Sequence, residues 1–411
     1  MLMAFDIFNQ GLSTKMHVDI NSCFATIEQQ ANPHLRGWPI AVAAYDSPGG
    51  CIVAPSIEAK TYGVKVGMRV SEGKKLCPPL EVLTPDPDKY RFVHLKLKKI
   101  LLSYSESVFP KSIDEFCLDL EGYPAFERGM VAVAREIKHR ITDEIGDWIT
   151  VSIGIGPNRF LAKTGAGLTK PDGLDEINFK NFLRIYKSLS LRDLCGISFA
   201  NEKCLNGVGV YDVVDFYQAS PEKLREAFRS VLANWWFLRL RGWEVDDTES
   251  GRKSFGNSYS LPKPFYKAED LAPILQKLVF KTGARMRKKG FKAKGVSLAV
   301  FYRDRPFWHR SVTFPEYFFD SADIYKKAFE ILTQAPAGKP VGKLAVSCFS
   351  LEKLNLVQME AFSDTEKKIN LVRAIDQLNG RWGGFCLVPG LMINTDKLAV
   401  DRIAFGGVKE L

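Results

Sequence analysis

Hydrophobic and polar positions along the chain switch repeatedly between a two-residue and a 3.6-residue period. Residues 16–21, MHVDIN, alternate, with Met16, Val18 and Ile20 on one side and His17, Asp19 and Asn21 on the other, the pattern of a strand packed on one face. A helical pattern begins immediately afterwards, with Ser22 at the N-cap position, and stops near Pro33. Asp19 is thereby predicted at the carboxyl end of a strand beside a helix N-terminus, a favourable place for anions and their metals. Residues 40–44 and 51–54 read as short strands joined by DSPGG, a strong turn signal. Residues 56–63, SIEAKTYG, read as a short helix ending at Gly63 with Lys60 in its last turn. Beyond the prolines at 78, 79, 85 and 87, Tyr90, Val93, Leu97, Ile100, Leu101 and Tyr104 mark an amphipathic helix. Residues 111–120, KSIDEFCLDL, form a strand with a polar lead-in, and residues 130–144 a second helix. The clearest alternation, ITVSIGI at 149–155, turns through GPN into a helix carrying Arg159 and Lys163, with KPDG at 170–173 beyond its end. The order predicts a mixed α/β domain of roughly 160 residues with a smaller lobe, residues 23–86, inserted near its start.

Residues 176–244 turn helical and contain LCGI at 194–197 and NGVGV at 206–210, where glycines between short helices could let backbone amides approach a DNA phosphate. DDTESG at 246–251 is polar and free of apolar residues, the composition of a linker. From Arg252 to Ser350, strand patterns at 252–260 and 295–302 alternate with helical ones near 267–288 and 322–333, an α+β unit. A further stretch, LVQMEAF at 356–362, precedes a helix at 365–378.

Length and charge sharpen this picture. At 411 residues the chain suits two to four domains. Its 57 Lys and Arg against 47 Asp and Glu give a net charge of +10, which favours a polyanionic partner, although solubility also accounts for a charge of that size. The charge is concentrated: residues 251–310 hold 15 Lys and Arg against 3 Asp and Glu. One module therefore carries the basic footprint, and its polar alternate positions are expected to lay Lys and Arg against phosphates. The eight cysteines lack C-x-x-C spacing and read as free thiols in a reducing compartment. No apolar segment is long enough to span a bilayer, and the first fourteen residues do not fit a secretory signal. They are read as a disordered leader or an artefact of start-codon choice, and the protein as cytoplasmic with no membrane partner.

The candidate chemistry centres on Asp114 and Glu115. Neighbours on a regular strand point to opposite faces, so the two can share an ion only where a turn or bulge distorts the backbone. Alone, such a pair is more often a solvated turn than a ligand set. Asp19 changes the balance, because three carboxylates at two strand ends could hold two Mg²⁺ ions with phosphate oxygens completing the shells. Lys60 and Lys170 then supply cations for a triphosphate, and the basic module a surface for nucleic acid.

Four stretches, residues 16–28, 52–68, 112–120 and 151–173, the last containing VSIGIGPNRFLAK and TKPDG, resemble in order and spacing the conserved motifs of the Y-family translesion DNA polymerases. The resemblance spans about residues 15–350. It implies a multidomain α/β and α+β fold, a polymerase right hand plus a C-terminal little-finger domain. The palm would take 15–22 and 87–175, the fingers 23–86, and a thumb with a helix-hairpin-helix 176–245. A linker at 246–251 and a little finger at 252–350 would follow, with a tail at 351–411. Asp19, Asp114 and Glu115 would be the catalytic ligands of two Mg²⁺ ions, with the backbone carbonyl of Ile20 completing one shell. Lys60 and Lys170 would bind the nucleotide, and Phe24 would be a steric gate under its sugar. The implied activity is template-directed DNA synthesis from dNTPs on primer-template DNA in damage tolerance, and the implied partner a sliding clamp, held by the peptide from Gln358 to Phe362. A non-catalytic damage scaffold and a nucleotidyl cyclase are the alternatives. Three positions depart from the commonest pattern: Asn21 where many members have Asp, Ile57 where they have Tyr, and Lys60 where they have Arg. CGIS at 195–198 replaces the usual thumb PGIG, and the motifs suit both the DinB-like and the UmuC-like branch.

Overall fold

The computed structural model describes residues 8–247, 251–304, 307–354, 365–383, 385–396 and 398–399. The chain divides into two units, Met1–Thr248 with Arg402–Leu411, and Glu249–Asp401. The first unit opens with β1 (Lys15–Ile20), α1 (Cys23–Ala31), β2 (Ile40–Ala43), β3 (Ile52–Pro55), α2 (Ile57–Thr61), α3 (Val70–Leu76), β4 (Glu81–Leu83) and α4 (Pro87–Leu102). It continues with β5 (Val108–Pro110), β6 (Glu115–Asp119), α5 (Pro124–Glu127), α6 (Met130–Glu144), β7 (Val151–Gly156), α7 (Arg159–Leu168) and β8 (Leu174–Glu176). Five helices close it: α8 (Phe182–Ser188), α9 (Phe199–Gly207), α10 (Val213–Gln218), α11 (Pro221–Phe228) and α12 (Leu232–Leu240).

The main sheet has the order β5-β6-β1-β7-β8, with β1 antiparallel to both neighbours. Alternation in β1 sorts its two faces as its sequence predicts. Met16, Val18 and Ile20 join Phe116, Leu118, Val151 and Ile153 in a core closed by Tyr90, Val93 and Leu97 of α4 and Val133 and Ile137 of α6. Lys15 and His17 stand on the opposite face, level with Gly156 and Gly154 of β7. There α7 lies directly on the strands. A Cβ at Gly154 would come within 2.0 Å of the Ala162 carbonyl oxygen and 2.1 Å of the Ala166 nitrogen, so only glycine admits the helix at this distance.

The smaller sheet, β3-β2-β4, has its own core of Ala41, Ala43, Ile52, Val64, Val70 and Leu80. Helix α1 precedes it but contributes Cys23, Phe24 and Ile27 to the main core. The five closing helices surround Tyr186, Leu205, Phe216, Leu224 and Trp236. Phe8 belongs to the same core, stacked on Phe182 at 4.0 Å, and the Asn9 amide donates to Arg241 O at 2.7 Å. The expected disordered leader is therefore ordered from Phe8 onward. Asp246, read as linker, is also fixed: its carboxylate accepts from Arg239 at 2.8 Å and its carbonyl from Arg159 at 2.8 Å.

The second unit runs β9 (Ser254–Phe265), α13 (Ala268–Lys288), β10 (Phe291–Tyr302), β11 (Phe307–Phe318), α14 (Ser321–Leu332), β12 (Val341–Lys353) and α15 (Thr365–Trp382). Its antiparallel sheet, β11-β10-β12-β9, packs Val296, Leu298, Leu344 and Val346 against Leu275, Leu278 and Val279 of α13. The alternate positions of the central rows are Ser258, Ala345, Ala299 and His309, and Gly256, Ser347, Ser297 and Ser311. The centre of that face is small and hydroxyl-bearing, not the Lys- and Arg-rich surface expected. Basic residues instead occupy its margins, as with Lys292, Lys294 and Lys343, and the last turn of α13, with Arg285, Arg287 and Lys288.

Candidate active site

The turn between β5 and β6 supplies the distortion that the Asp114 and Glu115 pair requires. The amides of Lys111 and Ser112 both donate to the Glu115 carbonyl, at 2.9 and 3.3 Å. That closure leaves Asp114 on the bend and makes Glu115 the first residue of β6. Glu115 then stands directly opposite Asp19 across the β1–β6 pair. The Ile20 amide donates to the Asp114 carbonyl at 3.0 Å, which ties the bend to the end of β1.

The electrostatics are those of carboxylates crowded together and partly neutralised by lysines. Burial raises the Asp114 carboxyl above its ordinary value; Ser112, which donates to it, opposes the rise, and the charges of Asp19 and Glu115 add to it. Burial would raise Glu115 too, but His17 and Lys163 beside it outweigh that and hold it at about 2. The Lys163 ammonium bonds both Glu115 oxygens, at 2.8 and 2.7 Å. Lys170 bonds Asp19 Oδ2 at 2.6 Å. Burial and then the charge of Lys170 push the Lys60 ammonium down, while Asp19 pulls it up. The two lysines and Asp19 therefore share one electrostatic neighbourhood. Asp119, four residues beyond Glu115, pairs with Lys15 at 2.6 Å.

Of the residues singled out from sequence, Asp19, Asp114, Glu115, Lys60 and Lys170 thus lie together. Ile20 puts its side chain into the core, 2% exposed. Phe24 is also 2% exposed, stacked on Tyr90 with ring centroids 4.2 Å apart. Tyr90 is itself held by Glu28 at 2.9 Å. Ser22 occupies the N-cap of α1, but its side chain does not cap the first turn.

Two residues were missed. His17, 2% exposed, lies 3.9 Å from Glu115, and its Nε2 has no hydrogen-bond partner among the described residues. Its signal was available, since it shares the Asp19 face of an alternating strand. Lys163 reaches the site because Gly154 and Gly156 admit α7, a signal carried by the glycines and not by the lysine. Ligand atoms of His17, Asp19 and Glu115 all lie within 4.8 Å of one another. A donor set of hard oxygens, with an orphaned buried imidazole beside them, fits a divalent cation.

Models of the impB/mucB/samB family match residues 18–166 and, for its C-terminal domain, residues 252–361. The chain is 32% identical to DNA polymerase IV of Moorella thermoacetica, over 89% of this chain and 92% of that protein. It is 31% identical to DNA polymerase IV of Pelotomaculum thermopropionicum, over 93% and 96%. Among solved structures, a Y-family DNA polymerase chimera of Dbh and Dpo4 matches with a TM-score of 0.72 at 23% identity, over 82% of this chain and 98% of that one. An insertion ternary complex of Dbh DNA polymerase matches with a TM-score of 0.58 at 23% identity, over 83% and 99%.

Proposed function

The chain belongs to the impB/mucB/samB family, on its DinB-like side among the Y-family DNA polymerases, and from that membership we propose a template-directed polymerase of the translesion type that extends primer-template DNA with dNTPs. The observation that carries the reading is the meeting of Asp19 with Glu115 across two strands, with Asp114 on the adjoining bend, Lys163 bonded to Glu115 and Lys170 to Asp19. The main sheet with α4, α6 and α7 serves as the palm and residues 23–86 as the fingers, with α1, the first element of that span, packed into the palm core through Cys23, Phe24 and Ile27. Helices α8 to α12 form the thumb, and residues 252–350 the little finger. Asp246, within the stretch expected as linker, is held by Arg239 of α12 and Arg159 of α7.

Asp19, Asp114, Glu115 and the Ile20 carbonyl would hold two Mg²⁺ ions. When bound, such ions lower the pKa of an attacking hydroxyl and neutralise charge on the triphosphate. The remaining work belongs to the chain. His17 and Lys163 together hold the Glu115 carboxyl low, so that it is ionised at neutral pH. Lys60 and Lys170 bind the outer phosphates, Lys170 passing from Asp19 to the nucleotide as it arrives. Phe24, braced by Tyr90, lies under the sugar and disfavours a ribose 2′-OH. No described helix is long and apolar enough to cross a membrane, and the cytoplasm is the proposed compartment. The proposed clamp peptide, Gln358 to Phe362, lies outside the described residues.

Primer extension with dNTPs and Mg²⁺ tests the reading. The wild type is expected to extend the primer and Asp114→Ala to fail to do so. A wild type that binds primer-template but extends nothing, with or without a clamp, makes the protein a scaffold.

A further inference from the structure

Asn21, at the end of β1, is only 4% exposed. Its Oδ1 accepts from the Asp172 amide at 2.8 Å and from the Thr150 hydroxyl at 3.1 Å. Its Nδ2 donates to the Ser152 hydroxyl at 2.9 Å. The orientation of the amide follows from chemistry, since the backbone N–H of Asp172 can only donate and must therefore meet the oxygen. Ser152 extends the grip, its hydroxyl accepting from the Gly173 amide at 3.3 Å.

These bonds converge on one tight turn. Asp172 has a φ of 60°, and a Cβ at Gly173 would fall 1.8 Å from the Thr169 carbonyl oxygen. The turn therefore needs external support to hold its shape. Lys138 supplies it from the other side, pairing with Asp172 Oδ1 at 2.8 Å and donating to Gly173 O at 3.3 Å. Two residues before Asp172 in this turn is Lys170, whose ammonium meets Asp19, and two residues after Asp19 is Asn21. A single amide thus ties the turn that bears the phosphate-binding cation to the strand that bears the carboxylate.

We propose that Asn21 is a positioning residue that sets Lys170 over Asp19 for binding the nucleotide triphosphate. The proposal rests on the reading of Lys170 as a triphosphate ligand. An aspartate could keep the bonds from Asp172 and Thr150, and Ser152 could turn its hydroxyl to donate. Alanine keeps none of them.

The test is a titration of dNTP into enzyme bound to dideoxy-terminated primer-template, read by fluorescence of a template base analogue, with single-turnover rates measured in parallel on extendable primer. Asn21→Ala is expected to raise the nucleotide dissociation constant about tenfold, the loss of a few hydrogen bonds, with a smaller effect on the single-turnover rate. Lys170→Ala should raise it at least as far, and the double variant no further than Lys170→Ala, because both changes remove one contact. Asn21→Asp should recover most of the affinity. If Asn21→Ala fails to fold, Ser152→Ala takes its place, with the same coupling to Lys170 expected. Effects that multiply in the double variant overturn the proposal, as does unchanged affinity in Asn21→Ala where Lys170→Ala weakens binding. Unchanged affinity in Lys170→Ala itself overturns the proposal and the role of Lys170 together, while wild-type primer extension would leave the polymerase reading standing.

Discussion

Replacing Gly154 by alanine probes the packing that brings α7 to the site. The new Cβ would sit 2.0 Å from the Ala162 oxygen and 2.1 Å from the Ala166 nitrogen. Both are backbone atoms, so no side chain can rotate away, and helix or strand must retreat by about 1 to 1.5 Å to reach ordinary contact. Lys163 rides on that helix, and its 2.7 and 2.8 Å bonds to Glu115 would stretch to about 4 Å, beyond hydrogen-bond reach. Overpacking of this kind costs about 3 kcal/mol, which for a unit of this size lowers the melting temperature by about 6 to 12 °C. A displacement of about 1 Å at a reacting centre reduces the rate about 100-fold. Gly167→Ala is the control, since a Cβ there meets nothing within 4 Å on the same helix; it should be neutral or mildly stabilising. Thermal unfolding and single-turnover incorporation, measured on both variants, decide the matter. A Gly154→Ala protein that melts and turns over like Gly167→Ala refutes the packing argument and the route by which Lys163 reaches Glu115.

Glu115, held at about 2 against about 4.3 in an unfolded chain, contributes stability that is present above the unfolded value and lost as pH falls toward the folded one, at most about 3 kcal/mol. The stability gap between wild type and Glu115→Gln should therefore narrow between pH 6 and pH 3 in denaturant titrations, and a gap that is constant or widens contradicts the assignment. Phe24→Ala should raise ribonucleotide incorporation relative to deoxyribonucleotide and, because the ring is buried on Tyr90, destabilise by about 3 to 5 kcal/mol; lost stability with unchanged sugar discrimination makes Phe24 a core residue alone. A peptide covering residues 356–362 should bind a bacterial sliding clamp in calorimetry, more weakly after Phe362→Ala, and no detectable heat removes the idea.

What was legible in the sequence was local. The two-residue period of β1 separated Met16, Val18 and Ile20 from Asp19, and the impossibility of Asp114 and Glu115 sharing a face on a regular strand required the turn that the Lys111 and Ser112 amides close. What was not legible depended on partners far along the chain. Lys163 is 48 residues from Glu115, and only the close seat of α7 on Gly154 brings them together. The same blindness made residues 8–14 and Asp246 read as loose, since Phe8 finds Phe182, and Asp246 finds Arg159 and Arg239, only after folding. In the second unit the local charge count was right, but charge per residue does not say which face carries it. The serines of β9, β10, β11 and β12 occupy the sheet centre, and the cations its margins. Asn21 read as a lost acid; its partners turned it into a structural tie.

Phosphoryl transfer at the carboxylates where β1 ends and β6 begins is the proposed chemistry. Its most direct test is single-turnover incorporation of the correct dNTP by wild type and Asp19→Ala, after both have been shown to bind primer-template equally. A burst of incorporation is expected for the wild type and a loss of at least about 1,000-fold for Asp19→Ala. Incorporation by Asp19→Ala within about tenfold of wild type would contradict it.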